Sequence, residues 1–262
     1  MITLQHTSPP AAAGTRGPRV SSRGTRGPRV SWEQGGWAAG QVLLLAVVAA
    51  TAGLGPLGWA AGLAYGFATW AFLGYGMQRH RTRSLGPADR VTLARGLMVG
   101  AVTALVADRA GQDVPVALVV TLAAVALSLD WVDGQVARRT GTSSALGARF
   151  DMEVDAFLIL VLSAYVAVHM GPWVLAIGLM RYVFVAASWR FRWMNAPLPG
   201  SYARKVVAAV QGIFLVVAAS GLLPFAAVLV GLALASLMWS FGRDVLWLWR
   251  HAGVSVGGSG HV

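Results

Sequence analysis

The chain of 262 residues is 56% hydrophobic and only 12% charged, with a mean hydropathy of +0.61, which excludes an ordinary soluble domain. It contains no cysteine, so disulfides and thiolate metal ligands are excluded as well. A formal net charge of +11 raises nucleic-acid binding as a function, but the placement of the charges along the chain argues against it.

Residues 1–36 are polar, basic and broken by Gly and Pro, and the octapeptide Gly-Thr-Arg-Gly-Pro-Arg-Val-Ser at 14–21 recurs at 24–31. Two polar copies are too few for a solenoid, so a disordered tail is expected. It lacks the apolar region of a cleaved signal peptide near its start. Apolar stretches follow at 37–54, 57–77, 91–108, 113–132, 152–170, 172–189, 205–222 and 224–242. Runs near twenty apolar residues cross a hydrocarbon core of about 30 Å, so the expected fold class is all-α, a polytopic membrane helical bundle. The two stretches within 37–78 are rich in Gly and Ala, and a re-entrant or interfacial placement stays open for either. Trp37, Trp59, Trp173, Trp189, Trp193, Trp247 and Trp249 fall near stretch ends, as interfacial anchors do.

Basic residues occupy the tail, then Arg79, Arg81, Arg83 and Arg90, then Arg138, Arg139 and Arg149. Further groups are Arg190, Arg192, Arg204 and Lys205 (the only lysine), and finally Arg243 and Arg250. With eight crossings all these groups face one side, while the opposite loops carry Arg109 beside Asp108 and Asp113. By the positive-inside rule that side is the cytoplasm, with both termini inside and 243–262 a cytoplasmic end. The basic excess then reports topology in a cell membrane and attraction to its anionic phospholipids, with no nucleic-acid partner. Abundant Ala and Gly, with Arg in place of Lys, suit a GC-rich bacterial genome.

Five of the ten acidic residues, Asp130, Asp133, Asp151, Glu153 and Asp155, fall in one window between apolar stretches. Carboxylates are costly near a bilayer, so such a cluster points to a functional site with a compensating cation. Asp130 and Asp133 stand three apart, and Asp151 and Asp155 four apart, so each pair projects from one helix face. One pair closes a stretch and the other opens the next, so an antiparallel hairpin gathers four carboxylates. Hard oxygen ligands without His or Cys favour Mg²⁺ or Mn²⁺, and two ions about 4 Å apart suit phosphoryl transfer.

The intervening residues fit a nucleotide diphosphate. Gly134 and Ala137 remove side-chain bulk at the helix surface, and the planar fork of Arg138 pairs with phosphate oxygens. Gly141-Thr-Ser-Ser144 offers hydroxyls and backbone donors. Asp155, deepest of the four, is placed to accept a proton from an attacking hydroxyl.

The pattern Asp130-x2-Asp133-Gly134-x2-Ala137-Arg138-x8-Gly147-x3-Asp151-x3-Asp155 resembles the signature of the CDP-alcohol phosphatidyltransferase family at every specified position. That resemblance implies a six-helix catalytic core over 87–242, with the helices of 37–78 as additions. It further implies one ion on Asp130, Asp133 and Asp151 and a second on Asp130, Asp151 and Asp155, with Asp155 also the proton acceptor. Gly134, Arg138 and Ser144 match positions that contact the CDP part of the donor. Upstream, Pro87-Ala-Asp89-Arg90-Val91-Thr92-Leu-Ala-Arg95 is similar to the family's first core-helix motif, which lines the nucleotide pocket. Here Pro87 and Asp89 are separated by Ala88, where the family has Pro adjacent to Asn or Asp. Read without the family, Asp89 and Thr92 form an ordinary helix start. The implied partners are a CDP-activated lipid, a small alcohol and a second copy of the chain.

Arg181, inside an apolar stretch, and Lys205, at the edge of the next, are the expected cations for an acceptor or its phosphate. The acceptor alcohol is not legible. Two rival functions remain at this point: a membrane prenyltransferase of the aromatic-acceptor type, and a cation transporter. The first places its Asp motifs on distant helix pairs, and the second spreads carboxylates over several spans near the midplane.

Overall fold

In hydrocarbon every backbone N–H and C=O must find its partner within the segment, which makes helix the outcome for each apolar stretch. The structure, a computed structural model, describes residues 32–80, 87–109, 114–140, 145–196 and 198–251. The duplicated octapeptide and Ser144 lie outside them. In chain order the helices are α1 (Trp32–Ala52), α2 (Pro56–His80), α3 (Pro87–Asp108), α4 (Val116–Thr140) and α5 (Ala145–Met170). They continue with α6 (Leu175–Arg190), α7 (Tyr202–Ala219) and α8 (Ala226–His251), with short 3-10 turns at Pro172–Val174 and Arg192–Asn195. Among the described residues there is no strand. Pro56 and Pro87 open α2 and α3, where a missing N–H costs nothing. Gly171, at φ 102°, turns the chain out of α5 in a conformation that a side chain would strain.

Among the described residues six helices are long and apolar enough to cross a membrane; α2 is less apolar, and α4 offers the shorter apolar segment Val116–Val132. For α2 the reason is composition, because it has 25 residues, about 37 Å of helix. α2 packs against both α3 and α5. At its start, the Gly55 and Gly58 amides donate to the Asp108 carboxylate at the far end of α3, at 2.9 and 3.0 Å. Towards its finish, Phe72 stacks on Phe150 near the start of α5, with centroids 6.0 Å apart. Arg109 adds bonds to the Ala52 and Gly53 carbonyls, so the α1–α2 connection is clamped to the end of α3. Both N-terminal stretches are therefore continuous helices packed on the bundle, not re-entrant turns.

Lipid is as apolar as leucine, so these helices associate by close van der Waals packing through small residues. At the centre α3 packs against α1, α2, α4 and α5, and its Ala101, Val102, Ala104 and Leu105 are fully buried. Ala123 and Ala126 of α4, Leu158 and Leu162 of α5 and Leu215 of α7 complete this core. A Cβ on Gly178 of α6 would lie 2.5 Å from the Leu160 Cα, so only glycine permits the observed α5–α6 approach. Large apolar side chains such as Leu43, Phe67, Val183 and Leu232 are exposed, as a lipid-facing surface requires. Past 242, where the apolar stretch ends, α8 continues unbroken to His251. There Asp244 pairs with Arg204 at 3.1 Å, tying the start of α7 to α8.

Candidate active site

The start of α3, the end of α4 and the start of α5 converge on one group of charges. Asp130 of α4 meets Arg95 of α3, Oδ1 to Nη1, at 2.5 Å. The Arg95 Nη2 donates to the Asp151 side chain and backbone carbonyl of α5, and lies 3.3 Å from Asp155 Oδ1. Carboxylate oxygens of Asp130, Asp151 and Asp155 all lie within 4.8 Å of one another. Arg95 is fully buried, whereas the three Asp side chains are 42, 33 and 39% exposed. The arginine thus forms the floor of an acidic cluster that is open on its other side.

Helical spacing explains the gathering. Asp151 and Asp155, four apart, share the α5 face that meets α3. Asp89, Thr92 and Arg95 recur every three residues on α3, and all three are buried. Arg90, one position off that stripe, is exposed, and Val91 is half-buried. Gly134 and Gly147 are half-buried on α4 and α5. Asp133, Ala137 and Arg138 belong to α4, and only their helical backbone is among what is described. The structure therefore brings together three of the four expected carboxylates and is silent on the side chain of the fourth.

Arg95 is the site residue that the sequence reading quoted inside a motif without assigning it a role. The available signal was its position: an arginine about one turn into an apolar stretch needs a buried partner of opposite charge. Glu153 was also left unassigned. It accepts from Arg181 of α6 at 2.5 Å, so Arg181 is anchored to the same helix that carries Asp151 and Asp155. Lys205 is exposed on α7.

The donor set fits a hard divalent cation. It consists of carboxylate oxygens alone, and three carboxylates against one guanidinium leave the group two negative charges in excess.

A sequence model of the CDP-alcohol phosphatidyltransferase family matches residues 87–239, from the start of α3 into α8, more than half of the chain. The chain belongs to this family. No curated protein and no solved structure matches it. As a CDP-alcohol phosphatidyltransferase it is a membrane-embedded transferase of substituted phosphate groups, in a family that generally uses divalent metal ions. The family's substrates are a CDP-alcohol donor and an alcohol acceptor, which sets aside the prenyltransferase and transporter readings. The family match begins at Pro87, leaving α1 and α2 outside it although they pack on α3.

Proposed function

We propose that the protein transfers a phosphatidyl group from CDP-diacylglycerol to a hydroxyl acceptor, with release of CMP. The acceptor oxygen forms a bond to the phosphorus that carries the diacylglycerol. The bond from that phosphorus to the bridging oxygen breaks, and CMP leaves with the electron pair. Asp155, deepest of the carboxylates on α5, takes the hydroxyl proton. The observation that carries this reading is the convergence of Asp130, Asp151 and Asp155 within 4.8 Å in a chain of this family.

Asp130, Asp133, Asp151 and Asp155 would hold two Mg²⁺ or Mn²⁺ ions, which when bound neutralise charge on the diphosphate as it develops. Asp89, Arg90, Val91 and Thr92 on α3 form the nucleotide side of the site. Gly134, Ala137, Arg138, Ser144 and Gly147 form its diphosphate side, where the small residues admit the ligand to the helix surface. Arg181 and Lys205 serve the acceptor, Arg181 being oriented by Glu153. The site faces the cytoplasm, a reading supported by Arg190, Arg204, Arg243 and Arg250 at the helix ends. Two copies form the working unit, as the family resemblance implies.

The test is incubation of membranes containing the full chain with Mn²⁺, labelled CDP-diacylglycerol and a panel of hydroxyl acceptors, with lipid products identified by mass. Release of CMP matched by one new phospholipid supports the donor and names the acceptor. Turnover of a water-soluble CDP-alcohol onto diacylglycerol, with CDP-diacylglycerol untouched, would reverse the assignment of donor and acceptor.

A further inference from the structure

Among the described side chains, Arg95 is the only Lys or Arg that is buried. It lies within the apolar window Asp89–Asp108, where an uncompensated guanidinium is expensive. Its two terminal nitrogens meet carboxylates on two other helices, Asp130 on α4 and Asp151 and Asp155 on α5, and Nη2 also donates to the Asp151 backbone carbonyl. Its Nε has no partner. The hydrogen bonds of the arginine among the described residues thus all lie on the side of the cluster.

The balance of charge is mutual. Three carboxylates drawn within 4.8 Å repel one another unless a cation stands among them, and among the described side chains Arg95 stands there. A divalent ion entering this cluster meets carboxylates whose Oδ1 atoms Arg95 already contacts.

We propose that Arg95 is a resident counter-cation, which keeps Asp130, Asp151 and Asp155 gathered before an ion binds and competes with the ion for their oxygens. Arg95 is on this view a positioning residue that trades ion affinity for a preformed site. The inference rests on the metal-binding reading above. It goes beyond it by assigning the ion-free state a specific stabilising contact and the bound state a specific competitor.

Mn²⁺ serves as the probe, with binding followed by electron paramagnetic resonance and stability by thermal unfolding of the purified full chain in lipid nanodiscs. The native chain keeps most of its thermal midpoint in EDTA, because Arg95 already neutralises the cluster; collapse of the fold on chelation would overturn the proposal without any variant. In R95Q the midpoint falls further in EDTA than in saturating Mn²⁺, and Mn²⁺ binds about tenfold tighter or more, since one competing charge is gone. The cavity left by the shorter side chain is common to both conditions, so the difference between them reports the charge. Arg95→Lys, which keeps the charge and loses the fork, stays within about threefold of native Mn²⁺ affinity. Equal or weaker Mn²⁺ binding by R95Q than by the native chain would leave Arg95 a structural pair only, with the metal reading intact. A native chain that binds no Mn²⁺ would remove both.

Discussion

Replacing Asp155 by Asn tests the base at the centre of the proposed chemistry. The substitution keeps the side chain's shape and one oxygen but removes the charge and the basic oxygen. Loss of a positioned general base costs about 10²–10⁴ in rate, equivalent to roughly 3–5 kcal/mol of barrier. The structural cost is much smaller. Asp155 makes the 3.3 Å contact with Arg95, longer than the 2.5 Å contact of Asp130, and its side chain is 39% exposed. Arg95 keeps Asp130 and Asp151 in the variant, so the buried guanidinium stays compensated and the variant folds. Initial rates of CMP release, together with the affinity for CDP-diacylglycerol, separate the two effects: kcat falls by the full factor and donor affinity holds. A rate within about threefold of native would refute the base assignment, since general-base loss is never that small. Donor affinity lost in step with the rate would leave Asp155 a holder of the donor's ion only, without the part of base.

Asp133→Asn is expected to abolish turnover and weaken Mn²⁺ binding, and full activity would remove Asp133 from the metal set. Arg181→Gln should raise the KM for a phosphate-bearing acceptor more than it lowers kcat; an unchanged KM excludes Arg181 from the acceptor side. Deleting residues 1–31, ahead of α1, should spare turnover in nanodiscs, and an inactive but folded truncation would give that basic segment a catalytic part. Because the chain has no cysteine, single-cysteine labelling is clean: Tyr202→Cys and Leu222→Cys, at the two ends of α7 and 83 and 82% exposed, should react from opposite faces. Labelling of Tyr202→Cys from outside the cell would invert the proposed topology.

The helices from α3 to α8 were legible as apolar runs, because bilayer thickness sets a length and the absence of water dictates the backbone pairing, whereas for the two stretches of α1 and α2 a re-entrant or interfacial placement stayed open. Each of the stretches between 37 and 242 falls largely on one helix, with ends displaced by polar flanks such as 133–140 of α4 and 243–251 of α8. The acidic hairpin was equally legible, since helical spacing puts Asp151 and Asp155 on one face whatever they pack against. The family signature lies in the same local spacings, which is why it needed no coordinates.

Contacts between distant helices were not legible. Spacing gave Arg95 a place on α3 but no partner, and 35 residues separate it from Asp130 and 56 from Asp151. Only the packing of α3 against α4 and α5 selects those carboxylates from the acidic residues available. In the same way, Arg181 was an intramembrane cation in search of an anion until α6 lay against α5 and Glu153 supplied it. The clamp of Asp108 and Arg109 on the α1–α2 turn likewise depends on residues 50 to 57 positions apart. A sequence read locally states which side chains need a partner, because the cost of burying charge is local. Which partner meets that need is decided by helix packing, an energy shared among many contacts and written in no short stretch of chain.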